Sequence, residues 1–120
     1  MRLSAEEGFR RLAIGTHAMV ASVCRDGGQP ESWHLDARTE ALLRIGVLVA
    51  LDAPPSSFRS EVEAAQRAGA RLDDLLAVLV ATSDIVGSAR LVSAAPRMAL
   101  AAGYDIEAAL EEIDPTHAPA

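Results

Sequence analysis

The sequence predicts an all-α protein, and three observations lead there. Apolar residues recur at helical spacing through every long segment, and no stretch alternates apolar with polar in the manner of a strand. Each periodic segment is bracketed by residues that start or stop helices. Half of the 120 residues are hydrophobic, yet only 3% are aromatic, so Leu, Val, Ile and Ala must build the core. The expected architecture is one compact domain over residues 1–120, a bundle of about five to six helices. Small helical chains of this kind bury leftover apolar faces against copies of themselves, so a homo-oligomer is expected.

Ser4-Ala5-Glu6-Glu7 has the form of a capping box, with Ser at the cap and Glu three residues on. One helix is expected from it, carrying Phe9, Leu12, Ala13, Val20 and Val23 and ending near Asp26-Gly27-Gly28. Residues 27–34, with Pro30 and Ser32, read as a loop. Asp36 is placed to cap a second helix with Glu40 in its early turns. From Ile45 that helix is apolar on nearly every face except small Gly46, the pattern of a central or interface helix. Asp52-Ala53-Pro54-Pro55-Ser56 breaks it. Ser56 or Ser57 starts a third helix with Phe58, Val62, Ala65 and Ala68 at helical spacing, closed by Gly69. Asp73 and Asp74 favour the start of a fourth through the helix dipole. Leu75, Val78, Leu79, Ile85, Val86 and Leu91 form its apolar surface, and Pro96 ends or kinks it. Gly103 closes a short piece, Asp105 caps a last helix through Ile113, and the tail 114–120 is expected to fray.

Charge and cysteine usage exclude several functions. The formal charge is −6 and every basic residue is arginine, so a Schiff-base lysine is excluded. Arginines scattered among acids form no basic stripe, so no nucleic-acid partner is expected. A lone Cys24 permits neither an intrachain disulfide nor a cysteine metal cluster. The first residues lack an apolar signal-peptide core, and the longest apolar run, 45–51, is too short to span a bilayer. No membrane partner is therefore expected, and the cytoplasm is the expected location. No metal and no cofactor are expected, since no spaced His, Cys or acidic motif supports a ligand set.

From Leu35 onward the residues follow a recognisable order. Leu35-Asp36 and Thr39 precede a small and apolar helix and a loop. Then come Arg59-Ser60-Glu61-Val62, Ala64-Ala65 and Arg67-Ala68-Gly69-Ala70, and Asp73, Asp74, Leu75, Val78, Leu79 and Gly87 follow. Over 35–92 this resembles the carboxymuconolactone decarboxylase and alkylhydroperoxidase D-like superfamily. The resemblance implies an alkylhydroperoxidase D-like helical bundle that assembles as a homotrimer or homohexamer. It also implies a pocket near the loop before the third helix, often lined from more than one subunit. The redox branch of that superfamily carries two cysteines and a histidine there. In this chain the first cysteine position falls on Ala53 or Pro54, the second near Ser57 and the histidine on Glu61. The redox branch's helical glutamate falls at about Ala41. Thiol peroxidase and dithiol reductase chemistry need an attacking thiolate and a resolving partner, and neither is present.

The candidate site follows from those positions. Glu61 is a carboxylate where the resemblance expects an ionisable group, suited to proton exchange if burial raises its pKa. Its ordinary alternative is a solvated residue paired with Arg59. Asp84 interrupts an apolar helix, where an unpaired acid is costly; its alternative is a pair with Arg90 or water at a subunit seam. His34, beside Trp33 and two residues before Asp36, is placed to titrate near neutrality at a pocket mouth, against the commoner fate of a surface or capping histidine. His17 reads as a packing residue inside the first helix, and His117 lies in the tail. Arg59, Ser57 and Trp33 complete the set as substrate-binding candidates, although Ser56-Ser57 reads first as a helix cap.

Two functions are consistent with these residues. One is a cofactor-independent lyase or isomerase of the decarboxylase-like branch. It would decarboxylate, isomerise or rearrange a small cyclic or carboxylated metabolite, with Glu61, Asp84 or His34 exchanging protons and Arg59 holding a carboxylate. The other is a catalytically silent oligomeric ligand-binding or scaffolding member. A polar pocket holding perturbed acids favours the first; an apolar one favours the second.

Overall fold

A computed structural model describes residues 3–112 of the chain. All regular structure among them is helical: α1 (Ala5–Ile14), α2 (His17–Cys24), a 3-10 turn (Glu31–Trp33), α3 (Ala37–Leu51), α4 (Pro55–Arg67), α5 (Leu72–Val86), α6 (Ser88–Ala101) and α7 (Ile106–Glu111). The chain divides into two units, the first ending at Leu35 and the second beginning at Asp36.

In the first unit α1 packs against α2. Ser4 caps α1 by accepting the Glu7 N–H at 3.2 Å, one half of the expected capping box; the Glu7 carboxylate accepts from Arg10 and Arg11 instead of returning to the Ser4 N–H. The single helix expected to run through Val23 is instead two. Gly15 sits at φ +76°, a conformation that costs glycine little, and closes α1 with its N–H on the Arg11 carbonyl. Thr16 then caps α2 by accepting the Met19 N–H. His17 consequently stands exposed at the first position of α2 rather than packed within a helix. Gly8 is buried because the Trp33 indole lies over it; a Cβ there would meet Trp33 Cη2 at 3.0 Å.

In the second unit α3 packs on α4, α5 and α6, while α6 touches α3, α4, α5 and α7. These two helices form the centre of a bundle whose α4 and α5 do not touch one another. Spacing explains the core. Ala41, Ile45 and Val49 place one buried residue per turn of α3, and Phe58, Val62 and Ala65 do the same for α4. Leu75, Ala94 and Met98 meet them from α5 and α6.

Asp36 caps α3 through the Thr39 N–H at 2.9 Å. α4 begins at Pro55, one residue before the expected serines, because proline's fixed φ suits a first helical position. The expected fourth helix is also divided. Gly87, at φ +80°, ends α5, and Pro96 lies inside α6. Asp105 caps α7 by accepting the Ala108 N–H. Ile113, His117 and the tail 114–120 lie outside the described residues.

Candidate functional site

Among the residues expected to do chemistry, four lie in the second unit. Glu61 is half-buried on α4, at the margin of the stripe formed by Phe58, Val62 and Ala65. Ser57 is half-buried in the first turn of α4, and Arg59 is exposed. Asp84 is exposed near the end of α5. Because α4 and α5 do not touch, Glu61 and Asp84 belong to helices without mutual contact. Neither carboxylate has an ion-pair partner among the described residues. The Arg90 considered for Asp84 pairs with Asp52 instead, at 3.2 Å. His34 and Trp33 belong to the first unit: His34 is exposed behind the 3-10 turn, and Trp33 is half-buried over Gly8.

A concavity with a volume near 490 Å³ runs between α3 and α5 of the second unit. Leu43, Val47 and Ala50 form one wall, Ala81, Ile85 and Val86 the other, and Gly46 lies between them. No ionisable side chain lines it. Leu43, Val47 and Ile85 are at least half exposed, Ile85 to 87%. Leu42 and Val78 pack against the core beneath. Single exposed leucines need no account, but a continuous apolar face is unusual on a free surface.

A second feature centres on Asp52, outside the residues expected to do chemistry. Asp52 ends α3 at φ +51°, left-handed and uncommon for a side-chain-bearing residue. The Ser93 hydroxyl donates to its Oδ1 at 2.7 Å. Arg90 and Arg97 reach its carboxylate at 3.2 and 3.4 Å. Arg97 Nη1 also donates to the Ala53 carbonyl at 2.6 Å. The Asp52 carboxyl is held below the ordinary aspartate range, chiefly by the Ser93 hydroxyl; the two guanidinium charges add to this and partial desolvation opposes it. The knot ties the α3–α4 loop to α6. Its sequence signal is Arg90, Ser93 and Arg97 at helical spacing on one face of α6, but their partner lies about forty residues away, so no local pattern reveals it. Arg97 also lines a depression near 300 Å³ with Pro55, Pro96, Leu100, Asp105 and Ile106.

The other shifted carboxyls serve helix ends and ion pairs. Asp36 is lowered by the Thr39 N–H and hydroxyl. Asp74 is lowered first by the Arg71 N–H, then by Arg38, and Glu7 first by Arg11, then by Arg10. No group of three or more His, Cys, Asp or Glu that could hold a metal ion occurs among the described residues. No helix among them is long and apolar enough to cross a membrane. Comparison with known proteins leaves the family open: no family model, no curated protein and no solved structure matches the chain.

Proposed function

We propose that the protein is a self-associating helical module, a ligand-binding or scaffolding protein rather than an acid–base catalyst, with the α3–α5 face as its contact between copies. The observation that carries this is the uncharged groove walled by Leu43, Val47, Ala50, Ala81 and Ile85. Two copies of a chain with charge −6 repel one another, so they associate best through a face without acids. Asp84 is exposed and does not line the groove, so its charge can keep its water. Leu43, Val47 and Ile85, each at least half exposed, together offer apolar area on the order of a few hundred Å², the size of patch that marks interaction sites. The resemblance over 35–92 to the carboxymuconolactone decarboxylase-like superfamily enters on the same footing and favours a trimer or hexamer. A cytoplasmic protein suits the lone, exposed thiol of Cys24.

Light scattering tests the reading. The wild type is expected to exceed the 12.6 kDa of one chain at micromolar concentration. Ile85→Asp, at a position 87% exposed, should yield a folded monomer. Burial of one isoleucine is worth about 1.5–3 kcal/mol, so losing it weakens each contact by roughly one to two orders of magnitude. A wild-type monomer under these conditions would refute the proposal.

A second reading, acid–base chemistry on a small carboxylated metabolite, has one observation in its favour. The depression beside α4 presents Arg97 next to apolar Pro55, Leu100 and Ile106, with the Asp105 carboxylate engaged by the Ala108 N–H, an arrangement suited to a carboxylate with a hydrocarbon body. Turnover of such an acid, abolished in Arg97→Gln while assembly persists, would displace the first reading.

A further inference from the structure

The first unit contains a pocket of a different kind from the groove. It is near 370 Å³, and Arg11, Ser22, Gly27, Gly28, Gln29 and Trp33 are among its lining residues. Arg11 Nε donates to Glu7 Oε1 and its Nη1 to Ser22 Oγ, both at 3.1 Å. The Ser22 hydroxyl is itself fixed by donating to the Met19 carbonyl at 2.7 Å. The guanidinium is therefore oriented, and its Nη2 has no partner among the described residues. Glu7 also binds Arg10, so one carboxylate faces two guanidiniums and a positive charge is left over.

Two of the lining residues contribute backbone alone. Gly27 and Gly28 follow one another at φ +75° and +74°, with open space where their side chains would be. Neither N–H donates to any group among the described residues, whereas Asp26 and Trp33 on either side do donate. Consecutive unoccupied N–H groups beside a cation form an anion-accepting concavity. Gln29 is held by its amide on the Val23 carbonyl at 3.1 Å, and Trp33 closes the pocket with an aromatic surface. Charge distribution agrees with this assignment. Residues 1–35 carry four arginines and four acids, while 36–120 carry seven arginines and thirteen acids. The neutral unit is where this acidic chain can receive an anion.

We propose that this pocket binds a small oxyanion, a carboxylate or phosphate, on Arg11 and the Gly27–Gly28 amides, with any flat apolar body of the ligand against Trp33. Trp33 is the only tryptophan in the chain and also borders an apolar pocket with Phe9 and Leu12, so its fluorescence detects binding and the Gly27 and Gly28 amide resonances locate it. The full chain is titrated with acetate, benzoate and inorganic phosphate at constant ionic strength, with chloride as the control. At least one oxyanion is expected to give a saturating change that chloride does not. Saturation by phosphate alone assigns the phosphate group; tighter binding of benzoate than acetate assigns a carboxylate with a ring on the indole.

Arg11→Gln should weaken that binding at least about tenfold, the scale of one hydrogen bond to a charged group. Arg10→Gln removes the same charge from outside the pocket and should change it far less. If Arg11→Gln loses its helical signal, the wild-type Gly27 and Gly28 amide resonances decide: movement that saturates with the Trp33 signal upholds the site, and unmoved amides overturn it. No saturation with any oxyanion, or equal loss in the two variants, likewise overturns it.

Discussion

Gly46→Ala separates the fold from the proposed contact, because the two should respond in opposite directions. Gly46 lies within α3, where glycine costs roughly 0.5–1 kcal/mol relative to alanine. The added Cβ would meet Thr82 Cγ2 at 3.5 Å and Val78 Cγ1 at 3.6 Å, ordinary contact distances that need no adjustment of α5. The substitution should therefore stabilise the isolated chain by about 1 kcal/mol or slightly less. In a domain the size of 36–120 that raises Tm by about 2–8 °C. The same methyl raises the floor of the α3–α5 groove under whatever side chain a second copy inserts. Overfilling a packed contact costs about 1–3 kcal/mol, so self-association should weaken by roughly 5- to 150-fold. Circular dichroism melts below the association concentration keep binding from adding to Tm, and sedimentation equilibrium reads the Kd. A lowered Tm would show that α3 and α5 lie closer than the structure has them. A raised Tm with unchanged Kd would remove the groove from the contact.

Three further perturbations test the second unit's core and the chain's lowered carboxyls. Phe58→Ala empties the position of the largest fully buried side chain and should cost about 3–5 kcal/mol, a large share of the roughly 5–15 kcal/mol typical of a whole domain; urea unfolding with an undisturbed midpoint would contradict the burial. Asp36, Asp52, Asp74 and Glu7 all have lowered carboxyl pKa values. Their contribution is complete above the ordinary carboxyl values of about 4 and is lost as the pH falls through the lower folded values. The urea midpoint should hold from neutrality to about pH 5 and fall below about pH 4. Ser93→Ala, which removes the chief cause of the Asp52 shift, should shrink that fall, and a midpoint that rises on acidification would refute the assignment.

Helix ends written in short-range chemistry were legible in the sequence. Ser4, Asp36 and Asp105 each accept an N–H three residues on, a relation that needs no tertiary knowledge. The misplaced boundaries arose where two local signals competed. Around Gly15-Thr16 the apolar spacing continues across the break, and the Thr16 cap offsets the cost of ending a helix there. Near Pro96 the sequence offers the proline as the breaker, but Gly87 at φ +80° does the breaking. Pro96 is tolerated because it leaves unpaired only the carbonyl of Val92, a residue 74% exposed, where water can replace the lost bond. The candidate site was less legible. Glu61 was singled out by position, and its half-burial follows from its place beside Val62. The Asp52 knot joins groups 38 to 45 residues apart, and its partners are polar residues that look solvated when read one at a time.

The groove itself follows from composition. With 3% aromatic residues, the second unit has one Phe in its buried core, and its helices meet through alanine, valine and leucine. Small side chains permit close helix packing but enclose little volume, so a helix with apolar residues on several faces cannot turn them all inward. α5 illustrates this: among its apolar residues only Leu75 is buried, while Leu72, Leu76, Val80 and Ile85 stay more than half exposed. α3 meets the same limit, burying Ala41, Ile45 and Val49 and leaving Leu43, Val47 and Leu51 outside. Larger core residues on α5 would not cure the exposure, since α3 and α6 already occupy its packed side. Another apolar surface could cover the rest, and the one surface certain to be present at the protein's own concentration is a second copy. The small side chains that fill this core therefore also leave an apolar face uncovered.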